Sequence, residues 1–267
     1  MSTILITGAA GGVGGILRPR LAKPGRTLRL LDLAELTPGE GEEAVSASVT
    51  DLDALVEASR GVDAVIHLGG LSTEAPWERI LEVNINGTYN VFEAARRVGV
   101  PRVVFASSNH VVGFHTPDEF PVPEVTTALP DTYYGVSKVA GEALGALYAE
   151  RYGMDVISVR ILTCFPEPPD LRALSTWLSP DDAGRLFEAC LTAEKPGYRA
   201  IYGVSANTRG GWVSLDGARA LGYESLDDAE VFYDALTAKF GPIDPADPVF
   251  AHLGGGFCSP RLDADNL

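Results

Sequence analysis

Thr3-Ile4-Leu5-Ile6-Thr7-Gly8-Ala9-Ala10-Gly11-Gly12-Val13-Gly14 is the stretch that decides the fold. An apolar run stops at Gly8, and residues 12–21 then carry helical spacing. Strand, tight turn and helix make the opening of a βα unit. Gly8, Gly11 and Gly14 stand in a G-x-x-G-x-x-G frame across that turn, where missing side chains let backbone amides approach a pyrophosphate at the helix N-terminus. Such spacing in a chain with 29 glycines also fits a turn that binds nothing, and the strand before it and the helix after it favour the phosphate reading.

Outward from this turn the alternation continues. Residues 27–31 form a second strand ending at Asp32, a carboxylate placed to accept hydrogen bonds from an adenosine ribose and to repel a 2′-phosphate, so NAD is expected over NADP. Residues 44–48 make a weak third strand, followed by a helix that Thr50 or Asp51 can cap; Asp51 and Leu52 can equally flank an adenine. A fourth strand is expected over 63–68, closed by Gly69-Gly70, then a long helix over 77–98 and a fifth strand over 102–106. Residues 133–152 read as a helix and 155–162 as a sixth strand. Pro166, Pro168 and Pro169 then break the pattern into a loop. Beyond it come a helix over 181–191 capped by Ser179, a helix over 226–240, and a possible seventh strand over 198–202. The expectation is an α/β chain, a Rossmann-type doubly wound parallel sheet. Residues 1–267 form a single domain in which about 163–267 supply a small C-terminal cap and substrate-site loops, and the tail from Pro260 is frayed.

Composition narrows the function. The 267 residues hold 46% apolar side chains, enough for a buried core, and 36 acidic against 21 basic groups, a net charge of −15 that repels nucleic-acid phosphates. Cys164, Cys190 and Cys258 are few and scattered, which fits a reducing compartment and writes neither a disulfide framework nor a metal site. No apolar run approaches the roughly 18 residues of a membrane span, so a cytoplasmic protein is expected.

The chemistry concentrates in two places. Tyr134 and Lys138 are four residues apart on an expected helix and project from one face. An ammonium beside a phenol lowers the phenol's pKa, and a phenolate removes a hydroxyl proton, the chemistry of alcohol oxidation. An exposed helical pair is the bland alternative, although Lys138 is one of only four lysines. Ser107, Ser108, Asn109 and His110 follow the fifth strand, at the carboxyl edge where open parallel sheets bind ligands; turn chemistry, and a structural His110, explain them as well.

Taken together, the glycine frame, the Ser108/Tyr134/Lys138 set and Asn84 resemble the short-chain dehydrogenase/reductase superfamily in its extended, epimerase-like branch, over about residues 1–165. More narrowly, His67-Leu68-Gly69-Gly70, Ala106-Ser107-Ser108-Asn109-His110, Tyr134-Gly135-Val136-Ser137-Lys138, the stretch 160–172, Ser175-Thr176-Trp177 and Ser205-Ala206-Asn207 resemble uronate dehydrogenases over most of the chain. That resemblance implies oxidation of the C1 hemiacetal of D-glucuronate or D-galacturonate by NAD to an aldarolactone, in a homo-oligomer of hexuronate catabolism. It implies Tyr134 as base, Lys138 as electrostatic partner and ribose ligand, and Ser108 as the group positioning the hydroxyl. The cofactor set is Gly8, Gly11, Gly12, Val13, Gly14, Asp32, Asp51, Leu52, Leu68, Gly69, Gly70, Asn84, Tyr134, Lys138 and Cys164. Ser72, Ser108, Asn109, His110, Tyr134, Thr163 and Arg172 are implied around the sugar. Thr163 departs from the serine common in that family, keeping the hydroxyl and adding a methyl. Arg172 can grip a carboxylate with a bidentate fork, unless it is a surface arginine. Two other readings stand beside this one: a nucleotide-sugar epimerase or dehydratase, against which the short segment after residue 165 argues, and a dinucleotide-sensing regulator without chemistry, which has no need of Tyr134 and Lys138 together.

Overall fold

A computed structural model describes residues 2–259 and 262. Its centre is a seven-stranded sheet formed by β1 (Ser2–Thr7), β2 (Arg26–Asp32), β3 (Glu42–Ser46), β4 (Ala64–His67), β5 (Arg102–Ser108) and β6 (Asp155–Ile161). The short pair β7 (Thr163–Cys164) and β8 (Trp177–Leu178) stands apart, and β9 (Tyr198–Gly203) completes the sheet. The order is β3-β2-β1-β4-β5-β6-β9 with every neighbour parallel. Parallel neighbours require crossovers, and helices supply them on both faces.

Side chains alternate across each strand, so each strand feeds two cores. Ile4 and Ile6 of β1 and Val104 of β5 face α1 (Gly12–Leu21) and a later helix, while Leu5, Val103 and Phe105 face α2 (Leu52–Ala58) and its neighbours. The strand order reverses between β1 and β4, and the carboxyl ends of those two strands open the crevice in which such sheets bind ligands.

Several boundaries differ from expectation. β3 lies two residues earlier than 44–48, because its register against β2 pairs Leu28 with Glu42 and Asp32 with Ser46. The helix expected over 77–98 is continuous but not uniform: α3 (Trp77–Arg79) runs into a π-helical segment, Ile80–Asn86, before α4 (Gly87–Val98). Asn84 explains the widening, since its buried side chain accepts from Leu71 N and donates to Leu71 O and Ser137 Oγ. β5 extends to Ser108, so Ser107 and Ser108 belong to the strand and not to a turn.

After β6, α5 (Tyr133–Tyr152) having preceded it as expected, come α6 (Ala173–Thr176), α7 (Pro180–Thr192), α8 (Asp216–Ala220) and α9 (Tyr233–Phe240). Ser179 Oγ caps α7 by accepting from Asp182 N. The helix expected over 226–240 is shorter, because Asp228 caps a 3-10 turn at Ala229–Phe232 before α9 starts. The expectation that residues 163–267 form a cap needs correction as well. Helix α7 packs on α1, and β9 joins the sheet, which leaves the small clusters around Val122, Val213 and Leu253, and around Leu174, Trp177 and Leu236, outside the two main cores. Apart from Leu262, the frayed tail expected from Pro260 lies outside the described residues. Among the described residues no helix is long and apolar enough to cross a membrane.

Candidate active site

The glycine turn is built for close approach. Gly8 has φ +70°, and a Cβ there would meet Gly69 N at 2.7 Å; a Cβ on Gly14 would meet Ala9 O at 2.6 Å. Gly12 opens onto free space, and Val13 packs partly on the core beneath. Helix α1 starts at Gly12, and Gly11 before it has no side chain to cap it, which leaves its first amides facing outward. Asp32 sits at the end of β2 beside this turn, with Oδ2 accepting from Ala10 N at 2.9 Å and Oδ1 from Ala34 N at 3.0 Å. Each oxygen keeps a further lone pair for a ribose hydroxyl. Asp51 caps α2 by accepting from Ala54 N, and Leu52 lies partly buried behind it. Leu68, Gly69 and Gly70 follow β4 across the crevice, held by Leu68 N to Thr7 O and Gly69 N to Thr7 Oγ1. The residues present thus fit a dinucleotide: a cradle that a Cβ would fill, uncapped helix amides and an acid at the ribose position.

Tyr134 and Lys138 lie in the first turns of α5, both buried. The Lys138 ammonium stands 5.4 Å from the Tyr134 ring centroid and 5.0 Å from that of Phe105, and donates to Ala106 O at 2.8 Å. Burial pushes the lysine down to about 8. Burial also pushes the Tyr134 phenol up to about 12, against a downward pull from its hydrogen bond with Ser108. In the protein by itself desolvation decides the phenol, and the pull against it comes from Ser108 and not from the Lys138 expected to supply it. Strand alternation selects Ser108 over Ser107: Ser107 turns to the opposite face and donates to Glu142 Oε1 at 2.6 Å.

The sugar-side residues divide. His110 meets Tyr134 edge-on at 5.7 Å and stacks on Phe257 at 4.1 Å. Asn109 is buried and donates to Leu253 O at 3.2 Å, and the Arg172 guanidinium donates to the same carbonyl through Nη2. That shared oxygen brings Arg172 next to the residue that follows Ser108. Arg172 also lies over the Trp212 ring at 5.4 Å, forms no ion pair among the described residues, and keeps a buried Nε without a partner. Desolvation lowers its pKa. Thr163 Oγ1 bonds Thr176 Oγ1 at 2.8 Å, and Ser72 is exposed on the loop after β4. Cys164 packs on the core, and burial pushes its thiol up to about 12, which leaves it no nucleophile at neutral pH.

A family model for the NAD dependent epimerase/dehydratase family matches residues 4–174. The chain belongs to this family. It is 44% identical to the uronate dehydrogenase of Pseudomonas syringae over 95% of this chain and 92% of that one. Among solved structures it resembles uronate dehydrogenase from Agrobacterium tumefaciens, a tyrosine-to-alanine variant complexed with NAD, at 42% identity and TM-score 0.91, covering 97% of each chain. Glucuronic acid dehydrogenase from Chromohalobacter salexigens matches at 41% identity and TM-score 0.91, covering 96% of each.

Within this epimerase/dehydratase framework the structure gives roles to residues for which sequence reasoning had none. Glu74, buried on the loop after β4, accepts from Tyr133 N at 3.1 Å and Tyr134 N at 2.8 Å, so a carboxylate from another segment caps the helix that carries the tyrosine. His67 bridges Thr7 Oγ1 at 2.7 Å and Thr88 Oγ1 at 3.1 Å beneath the glycine turn. Asp131 backs His110. None carries a spacing signal, because each partner is distant in sequence.

Proposed function

We propose that the protein is an NAD-dependent hexuronate dehydrogenase that oxidises the C1 hemiacetal of D-glucuronate or D-galacturonate to the aldarolactone. The observation that carries this reading is Arg172: a guanidinium with a buried, unpartnered Nε beside Asn109, in a chain of net charge −15, calls for an anionic ligand. The similarity to uronate dehydrogenases supports it. NAD, when bound, supplies the hydride acceptor. Gly8, Gly11, Gly12, Val13 and Gly14 would hold its pyrophosphate and Asp32 its adenosine ribose, with Asp51, Leu52, Leu68, Gly69, Gly70, Asn84 and Cys164 around the rest.

Tyr134 takes the proton from the C1 hydroxyl, Ser108 holds the same oxygen, and Lys138 stabilises the phenolate and reaches the nicotinamide ribose. A phenol that burial has raised depends on those two neighbours to give up its proton. Arg172 holds the C6 carboxylate, and Ser72, Asn109, His110 and Thr163 line the ring. The lactone forms without water, so a dry site suits the step. A single domain over 1–267, a cytoplasmic, reducing setting in keeping with three free thiols, and a homo-oligomer go with this reading.

The test is NADH formation against a panel of hexuronates, aldoses and nucleotide-sugars, with the product followed by NMR. Hexuronates should lead and lactone should precede open aldarate. A nucleotide-sugar as best substrate, or aldarate appearing first, sinks the proposal. Tyr134→Phe should lose roughly 10² to 10⁴ in kcat with NAD binding retained.

A further inference from the structure

Asp131 lies just before α5 with its side chain wholly enclosed. Its Oδ2 accepts from His110 Nδ1 at 2.6 Å, its Oδ1 accepts from Thr132 Oγ1 at 3.0 Å, and Cys258 Sγ stands 3.8 Å from Oδ2. In the ion pairs among the described residues its partner is His110. Glycine makes the room: a Cβ on Gly113 or on Gly254 would lie 2.0 Å from Oδ2, and one on Gly135 would lie 3.2 Å from Oδ1. Three separate segments thus leave space for one carboxylate. Enclosing a carboxylate is costly unless hydrogen bonds answer it, and the donors here are the Thr132 hydroxyl and the imidazole that touches Tyr134.

We propose that Asp131 is a positioning residue that acts through His110. A carboxylate only accepts, so the proton must sit on Nδ1, and the neutral ring then offers the Nε2 lone pair as an acceptor. Phe257 on one face and the edge contact with Tyr134 hold the ring in that orientation. Nε2 reads a sugar hydroxyl neighbouring the carbon that Tyr134 serves, which leaves the carboxylate to Arg172. The identity of that hydroxyl rests on the hexuronate reading; the tautomer does not.

Nitrogen-15 NMR of the histidine-labelled whole enzyme near neutral pH decides the tautomer. The chain has four histidines, so the His110 signals are assigned by their loss in His110→Asn. The expected result is a protonated Nδ1 and a bare Nε2; a proton on Nε2, with or without one on Nδ1, overturns the proposal. In kinetics, Asp131→Asn should lower kcat/KM for the best hexuronate by roughly 10- to 100-fold, the scale on which orienting partners of imidazoles act, with NAD affinity unchanged. The double variant with His110→Asn should be no worse than His110→Asn, since both changes break one unit. Multiplying effects would make Asp131 structural and refute the proposal. The wild-type spectrum needs no variant to fold, and absence of hexuronate turnover would remove the functional reading while leaving the tautomer measured.

Discussion

Replacing Arg172 by alanine separates an enzyme for sugar acids from one for sugars. In the structure the guanidinium donates through Nη2 to Leu253 O, lies over Trp212 and leaves Nε buried without a partner. A C6 carboxylate would meet it there through charge-assisted hydrogen bonds. Removing the cation while the substrate carboxylate is still desolvated should cost roughly 2 to 4 kcal/mol, or about 30- to 1000-fold in kcat/KM. The structural cost is smaller. Leu253 O keeps Asn109 Nδ2, and loss of one charged donor to a neutral carbonyl, partly offset by relief of a buried unpaired Nε, should stay below about 2 kcal/mol of stability. The assay is kcat/KM at saturating NAD for glucuronate and galacturonate against glucose and galactose. The acids should fall sharply and the residual activity on the aldoses little, since these have no carboxylate to lose. Arg172→Lys should restore only part, because a point charge cannot copy a planar fork. An equal drop for both classes would show that Arg172 only ties Leu253 in place, and the carboxylate would have to be sought near Ser72, Asn109 and His110.

Asp32 should enforce NAD: a 2′-phosphate beside its carboxylate costs on the order of a few kcal/mol, and comparable kcat/KM for NAD and NADP would contradict that. Glu74→Gln leaves one acceptor oxygen for two amides, so kcat should fall, by up to about 10²-fold, more than KM changes, as Tyr134 shifts; an effect on KM only would reject a link to the tyrosine. Burial holds His67 down at about 3 from an ordinary 6.5, so the unfolded chain takes up a proton that the folded one refuses as pH falls from 6.5 towards 3. Stability present above pH 6.5 should be lost across that window at about 1.4 kcal/mol per pH unit from this group, and urea titrations of His67→Gln should show a shallower acid limb; identical slopes would exclude the linkage.

Much of the molecule was legible from local patterning. Short apolar runs predicted six strands of the main sheet and left residues 198–202 as a candidate seventh, because the central strands of a parallel sheet are buried on both faces. The glycine frame, Asp32 and the Tyr134/Lys138 spacing are short-range features that a βα unit places by geometry. Boundaries slipped where a tertiary contact overrode propensity: Asn84 reaching Leu71 and Ser137 turned an expected α-helix into a π segment. The last part of the chain misled most, since β9 and α7 look like cap elements until one sees that the edge of β6 and the face of α1 need covering.

What the sequence by itself determined is the framework of the candidate site, namely the glycine turn between β1 and α1, the acid at the end of β2 beside it and the helix face that carries phenol and amine. Those depend on periodicity within a few residues. The tertiary structure decided the protonation behaviour and the contacts between distant segments. Whether Tyr134 titrates high or low depends on how fully it is desolvated, which burial raises to about 12 despite a lysine four residues away. Arg172 changes from a candidate surface charge to a half-buried cation without an ion-pair partner among the described residues when Leu253 folds back upon it, and Asp131 finds His110 across 21 residues in a space that Gly113 and Gly254 leave open. Charge and desolvation act through space, and space is what the order of residues along the chain does not record.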